Sequence, residues 1–91
     1  MIMKYLDCVE IIVEKEKYAK EGVHKGMQGV IWLEESINGI NGINGEWDVY
    51  FPGYGENPDI AEISVKKSDM ALLPNGMDAR INDKIKAQFG K

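Results

Sequence analysis

Three short segments of the chain alternate apolar and polar residues, and this period-two pattern most restricts the folds that the chain can adopt. The segments are residues 7–13, 46–51 and 60–65, and each places three apolar side chains on one side. Successive side chains of a β-strand point to opposite faces of the sheet, so the alternation predicts strands with one face on a core. The pattern therefore predicts a mainly β domain.

Two further segments add strands to this prediction. Residues 26–33 place one set of side chains on each face, with Met27, Gly29, Ile31 and Leu33 on one and Gln28, Val30 and Trp32 on the other. Gly26 and Gly29 suit a tight turn into this strand and a close approach of two backbones. A short turn at residues 67–69 leads to a brief apolar strand at residues 70–73.

The segments outside the strands are a charged stretch and an apolar stripe of helical period. Residues 14–25 are strongly charged, which predicts a long surface connection between two strands that is too polar to enter the core. Met77, Ile81, Ile85 and Phe89 recur every four residues, which predicts an amphipathic helix capped by Asp78 or Asn75. About three helical turns are marginally stable alone, so we expect this helix to dock on the rest of the chain.

The tripeptide Ile-Asn-Gly occurs three times in succession at residues 37–45, between the second and third strands. Asn-Gly favours a hairpin turn because both of its residues adopt positive φ readily. One copy would close the hairpin, and extra loop length costs only a few tenths to about 1 kcal/mol. We therefore interpret the repeat as an extended surface loop. The alternative is a tip whose isoleucines contact a partner.

The composition predicts one small globular domain with an acidic body. The chain has 91 residues, a net charge of −4 and one cysteine, Cys8. Residues 1–73 carry thirteen acids and seven lysines, a net −6, whereas residues 74–91 carry two acids and four basic residues, a net +2. No leader or membrane-spanning segment is recognisable, and a lone cysteine suits a reducing cytoplasm. The acidic balance disfavours nucleic acid as a partner and favours a basic protein.

The order of these elements resembles the SH3-like small β-barrel. It comprises five short strands, a long excursion after the first, and the turn Lys67-Ser-Asp69, which resembles the single-turn helix before the last strand of such barrels. The resemblance spans about residues 7–73 and implies a five-stranded barrel over residues 1–74. Residues 75–91 would then form a C-terminal helical extension.

Two functions follow from this resemblance. SH3 domains that bind ligands use aromatic side chains near their loops, which implies a protein-binding surface at Tyr18, Tyr50 and Tyr54. An inhibitor of immunity type, covering a basic toxin or nuclease, is one specific form of this hypothesis. The alternative comes from Lys25-Gly-Met-Gln-Gly-Val-Ile31, which resembles the glycine motif of KOW-type domains. It implies an RNA- or ribosome-associated module whose contact residues would be Lys15, Lys17, Lys20 and Lys25.

The residue inventory offers little for catalysis. Cys8 and His24 could form a nucleophile and base only if the fold brought them together, and we expect a half-buried Cys8 and a solvated His24. No metal site or cofactor is expected, since one Cys and one His do not supply a ligand set. The carboxylate pairs Glu34-Glu35 and Glu46 with Asp48 are expected to be ordinary solvated acids. We therefore predict a protein that is not an enzyme.

The two tryptophans are expected to differ in their environments. Trp47 shares a face with Val49 and Phe51, which predicts a core position. Trp32 faces the opposite side, where it either packs beneath the C-terminal helix or marks an interface. Packing beneath the helix is the favoured prediction.

Overall fold

The computed structural model describes residues 6–32, 46–53 and 59–89. In these ranges the strands are β1 (Cys8–Ile11), β2 (Gln28–Ile31), β3 (Glu46–Pro52), β4 (Asp59–Lys66) and β5 (Met70–Leu72). A one-turn helix, α1 (Glu16–Ala19), lies between β1 and β2, and a longer helix, α2 (Ala79–Phe89), follows β5. The predicted mainly β domain with a C-terminal helix is confirmed. The Ile-Asn-Gly repeat lies outside the described residues.

The five strands form one antiparallel sheet in the order β4-β3-β2-β1-β5. From β1 to β4 each strand therefore pairs with the next along the chain, and β5 returns to pair with β1. The predicted turn before β5 is present as a 3₁₀ helix, Lys67–Asp69. The sheet is not closed into a barrel, because β4 and β5 form its two edges and do not pair with each other in the described residues.

One face of the sheet carries the hydrophobic core, as the period-two pattern predicted. Trp47, Val49 and Phe51 are buried, and they pack with Met27, which precedes β2, and with apolar residues of the other strands: Val9, Ile11, Ile31, Val65 and Met70. Burying large apolar side chains of this kind contributes roughly 1.5–3 kcal/mol each. The prediction that residues 14–25 stay out of the core was wrong, because α1 and the following turn bury Tyr18 and Val23 there.

The two glycines at the start of β2 have the roles that the sequence predicts. Gly26 adopts a φ of +94°, which favours glycine. At Gly29 an added Cβ would lie 2.7 Å from the backbone oxygen of Tyr50 and 2.8 Å from the side chain of Val49. Gly29 therefore permits β2 and β3 to approach closely over the core.

Helix α2 docks on the sheet through a buried side chain, Asn82, at the Gln28 end of β2. The pairing of Val30 with Tyr50 and of Ile31 with Val49, continued by two residues, places Gln28 opposite Pro52. Proline has no N–H to donate to the Gln28 carbonyl. The Asn82 carboxamide replaces that donor: its Nδ2 donates to the carbonyls of Gln28 at 2.7 Å and Pro52 at 2.8 Å, and its Oδ1 accepts from the Gln28 N–H at 2.7 Å.

The ends of α2 have their own contacts. The Asp78 carboxylate accepts a 3.0 Å hydrogen bond from the Arg80 N–H, so the predicted cap at Asp78 is confirmed. The last residue of the helix, Phe89, stacks on the His24 ring with a centroid separation of 3.8 Å. The expected docking within the chain is therefore present. Neither helix in the described ranges has the length and apolar character needed to cross a bilayer.

Candidate functional site

The outer face of the sheet, opposite the core, carries two aromatic rings in contact. Tyr50 in β3 faces outward because its neighbours Val49 and Phe51 are buried. Trp32 directly follows β2, and its N–H donates to the carbonyl of Asp48, which fixes it beside β3. The Trp32 and Tyr50 ring centroids are 5.8 Å apart at an interplanar angle of 47°. Trp32 remains 46% exposed, so a large aromatic surface faces outward.

Carboxylates surround this aromatic pair. The Tyr50 hydroxyl donates a hydrogen bond to the Asp59 carboxylate, and this bond raises the pKa of Tyr50. Between the neighbouring strands β4 and β3, the Ser64 hydroxyl donates to the Glu46 carboxylate at 3.0 Å. Both acids thus accept hydrogen bonds from hydroxyl groups on the outer face.

Asp48 and Glu62 form a close pair of acids at the centre of the same face. Burial, together with the hydrogen bond to Glu62 and the negative charge of Glu62, raises the pKa of Asp48 to about 6. A hydrogen bond between two carboxyl groups requires one proton, so the pair resists carrying two negative charges. The expectation that the acids of this strand are ordinary was wrong for Asp48. Asp48 is half-buried, which partly removes its carboxylate from water.

We refer to these six residues as the acidic aromatic face: Trp32, Tyr50, Glu46, Asp48, Asp59 and Glu62. Lys66 lies at its margin, opposite Glu46 in the register of β3 and β4. The face therefore combines exposed aromatic surface with four carboxylates. That combination can bind cationic side chains by charge and by stacking on the rings.

Helix α2 does not cover Trp32, so the favoured prediction for this residue was wrong. The helix is anchored on Gln28 through Asn82, its Ile85 side chain lies against Gly26, and its Phe89 ring lies on His24. It thus runs away from Trp32, which lies about 13 Å further along the strand. The interface alternative for Trp32 agrees with its exposure.

The three tyrosines predicted to form a partner-binding surface have different environments. Tyr50 lies on the outer face, as described above. Tyr18 is 1% exposed, and its hydroxyl donates to Asp69 at 2.6 Å and accepts from the Lys66 N–H at 3.1 Å. Burial raises the pKa of Tyr18 to about 12, so the hydroxyl stays protonated. Tyr18 thus presents no surface to a partner, and Tyr54 lies outside the described residues.

The lysines of the RNA-binding alternative are partly occupied by contacts within the chain. The Lys15 ammonium pairs with the buried Asp69 carboxylate at 2.8 Å. Burial raises the pKa of Asp69, but the hydrogen bonds from Lys15 and Tyr18 outweigh that effect and lower it overall. The Lys17 ammonium lies 5.2 Å from the centroid of the Tyr18 ring. Lys20 and Lys25 are exposed.

Cys8 and His24 occupy separate environments. Cys8 is half-buried in β1, opposite Val30, as predicted. His24 is only 9% exposed, so the prediction of a solvated side chain was wrong. Its Nδ1 lies 2.8 Å from a Glu14 carboxylate oxygen, while its ring stacks on Phe89. The Lys25 N–H and His24 both bond to Glu14 and lower the pKa of that carboxyl group. His24 therefore connects α2 with the segment between β1 and β2, residues 14–25.

Within the described ranges no cluster of three or more His, Cys, Asp or Glu side chains has an arrangement suited to a metal ion. Comparison of the chain with models of protein families, with curated proteins and with solved structures gives no match in any of the three. The acidic aromatic face is the feature from which a function can be argued.

Proposed function

We propose that this chain is a non-enzymatic module that binds a basic protein through the acidic aromatic face. The observation that carries the proposal is the exposed Trp32 ring, packed on Tyr50 and surrounded by four carboxylates. Trp and Tyr are enriched among the residues that dominate binding energy at protein interfaces. The free thiol of Cys8 suits a reducing compartment, so we place the module in the cytoplasm.

The charge of the face favours a cationic partner. Burial of Asp48, together with its repulsion by Glu62, disfavours folding at neutral pH, as the raised pKa of Asp48 indicates. A lysine or arginine from a partner would neutralise this repulsion. An arginine could also stack on Trp32 while it pairs with a carboxylate. The energetic cost in the free protein would then be recovered on binding.

The strand order and the 3₁₀ turn before β5 support the SH3-like interpretation of the fold. The contact surface that we propose differs from the one implied by that resemblance, because Tyr18 is in the core and Trp32 takes part instead. The two glycines of the KOW-like motif have structural roles at Gly26 and Gly29. They supply no argument for RNA binding.

An inhibitor of immunity type is the most specific form of the proposal. Such a protein would lay its acidic face over the basic substrate-binding surface of a toxin or nuclease. Electrostatic attraction between the two surfaces would speed association, and the aromatic pair would hold the complex. Salt would then slow association more than it speeds dissociation.

The proposal can be tested by a pull-down with the tagged chain. A native lysate is treated with nuclease, and the proteins that the tagged chain retains are identified at low and at high salt. Trp32→Ala and the double variant Asp48→Asn, Glu62→Gln should each lose a basic protein that the unmodified chain retains. Glu21→Gln is the matched control, because it removes one exposed acid elsewhere on the chain. Direct binding of the identified protein should then weaken by at least about tenfold in the face variants.

Two outcomes would oppose the proposal. Retention that is unchanged in both face variants would exclude the acidic aromatic face as the contact surface. Retention that disappears on nuclease treatment and on Lys20→Glu or Lys25→Glu would favour the RNA-binding alternative.

A further inference from the structure

The edge strand β4 leaves part of its backbone available for pairing. β4 is eight residues long and pairs with β3 along one side only. The Lys66 N–H donates to the Tyr18 hydroxyl, so this peptide group points away from β3. Peptide groups of a strand alternate between its two sides, so those of Glu62 and Ser64 also point away from β3.

The pairing on the other side of β3 gives the same result independently. The Trp32 N–H donates to the Asp48 carbonyl, so the peptide of Asp48 faces β2. The peptides of Trp47 and Val49 therefore face β4, where their partners are Val65 and Ile63. In the described parts of the chain, no backbone group pairs with the outward peptides of Glu62 and Ser64. The outward peptides of these two residues form a short unpaired edge, and such an edge can accept another strand.

We propose that β4 accepts an extended basic segment of the partner protein as an added strand, paired with the peptide groups of Glu62 and Ser64. This inference rests on the proposed function and specifies how the partner binds. Main-chain hydrogen bonds would supply part of the affinity, and alternate side chains of the added strand would lie beside the acidic aromatic face. Lysine or arginine at those positions would lie next to Glu62 and Asp59.

Charge favours a basic segment of a partner, rather than a second copy of the chain, as the strand added to β4. Antiparallel pairing of two β4 strands would bring two Glu62 carboxylates close together, beside the Asp48 of each copy. Like charges on neighbouring strands are destabilising. A basic strand replaces this repulsion by attraction, so a partner segment rich in lysine or arginine is favoured.

The test uses the full chain labelled with ¹⁵N and a short synthetic peptide of alternating lysine and valine. The peptide should slow amide hydrogen exchange at Glu62 and Ser64. Exchange at Lys66 should stay unchanged, because its N–H is already bonded to Tyr18. An alternating glutamate–valine peptide is the control and should leave all three amides unaffected. Absence of slowed exchange at Glu62 and Ser64 with the lysine peptide would overturn the proposal.

A substitution provides a second readout. Ser64→Pro removes an outward N–H that β3 does not use, and proline is tolerated on edge strands. Affinity for the lysine peptide should fall by about tenfold, the effect of losing roughly one main-chain hydrogen bond. Ser64→Ala is the matched control: it also loses the hydroxyl bond to Glu46 but keeps the N–H. Its affinity should stay within about twofold.

The outcomes separate this inference from the proposed function. If Ser64→Pro binds normally while Trp32→Ala does not, the acidic aromatic face is a binding surface and strand addition is wrong. If neither variant changes binding, both proposals fail. Sedimentation could instead show that the unmodified chain forms a dimer and that Ser64→Pro abolishes it. The strand added to β4 would then be a second copy of the chain, and the basic-strand proposal would be overturned.

Discussion

The Tyr18 hydroxyl donates a 2.6 Å hydrogen bond to Oδ2 of Asp69, joining residues 51 positions apart. The same carboxylate oxygen accepts from the Lys15 ammonium at 2.8 Å, and the same hydroxyl accepts from the Lys66 N–H. Helix α1, the end of β4 and the 3₁₀ turn are therefore held by a single polar cluster next to the core. Buried clusters of this kind stabilise a fold only while every member keeps its partner.

Tyr18→Phe should destabilise the protein by about 1–3 kcal/mol. The substitution keeps the ring in the core but leaves the Lys66 N–H without an acceptor and removes one of two donors to Asp69. Urea denaturation followed by tryptophan fluorescence measures the change. Tyr50→Phe is the comparison variant, because it removes a hydroxyl bonded to an exposed acid. A loss for Tyr18→Phe no larger than that for Tyr50→Phe would contradict the prediction.

Asp48→Asn should stabilise the protein at pH 7. The folded pKa of Asp48, about 6, lies above the unfolded value of 3.8, so folding takes up a proton between these values. The contribution of Asp48 to stability is therefore greatest below pH 3.8 and falls as the pH rises to about 6. Allowing for partial exposure, removing the charge should add about 1–2 kcal/mol at pH 7.

The pH dependence provides the check on this prediction. The difference between Asp48→Asn and the unmodified chain should shrink toward zero near pH 4, where the proton is already bound. Free energies of unfolding at intervals from pH 4 to pH 8 would measure it. Glu21→Gln, at an exposed position, should give no such trend. A pH-independent difference for Asp48→Asn would mean that the charge on Asp48 is not its cause.

Gly29→Ala should destabilise the protein by about 1–3 kcal/mol or more. The added methyl group would lie 2.7 Å from the Tyr50 carbonyl oxygen and 2.9 Å from the Phe51 ring, and a backbone oxygen cannot move aside cheaply. Gly76→Ala separates crowding from backbone strain, since Gly76 has a φ of +90° but open space around it. Its loss should be about 1 kcal/mol. Equal losses at both positions would rule out crowding at Gly29.

Asn82→Ala should cost about 2–4 kcal/mol, because it leaves one N–H and two carbonyls of the sheet without partners. Asn82→Asp is a finer probe: it keeps an acceptor for the Gln28 N–H but directs oxygen at the two carbonyls. It should therefore also destabilise the protein. Gln88→Ala, an exposed amide on the same helix, is the matched control. Helical circular dichroism and thermal denaturation would show whether α2 stays docked.

The strands were predictable because their apolar residues follow the period of the pleat, as Trp47, Val49 and Phe51 do. The capping role of Asp78 was equally local. The burial of Tyr18 was not predictable from its charged neighbours, because it depends on partners at Lys66 and Asp69. Long-range contacts of this kind follow from the topology of the chain and cannot be read from the local sequence of any one segment.

The candidate site was predictable only in part. Alternation along β3 places Tyr50 and Asp48 on one face, but the proximity of Asp48 to Glu62 depends on the register between two strands. The outward side of Trp32 was predicted, whereas its exposure depends on the direction of α2. That direction follows from Asn82, whose polar side chain is buried where the apolar stripe alone predicts no anchor. The sequence did offer one indication of this anchor: Pro52 has no N–H, so the strand opposite it needs a donor from elsewhere in the chain.

The hydrogen bonds of Asn82 also constrain the order in which the molecule can fold. The carboxamide completes the contact between β2 and β3 at Gln28 and Pro52, yet it lies 54 positions beyond Gln28. During synthesis this part of the sheet cannot be completed until residue 82 has left the ribosome. The nascent chain up to β5 would therefore carry an incompletely bonded sheet, and the arrival of α2 would be a late step in its maturation.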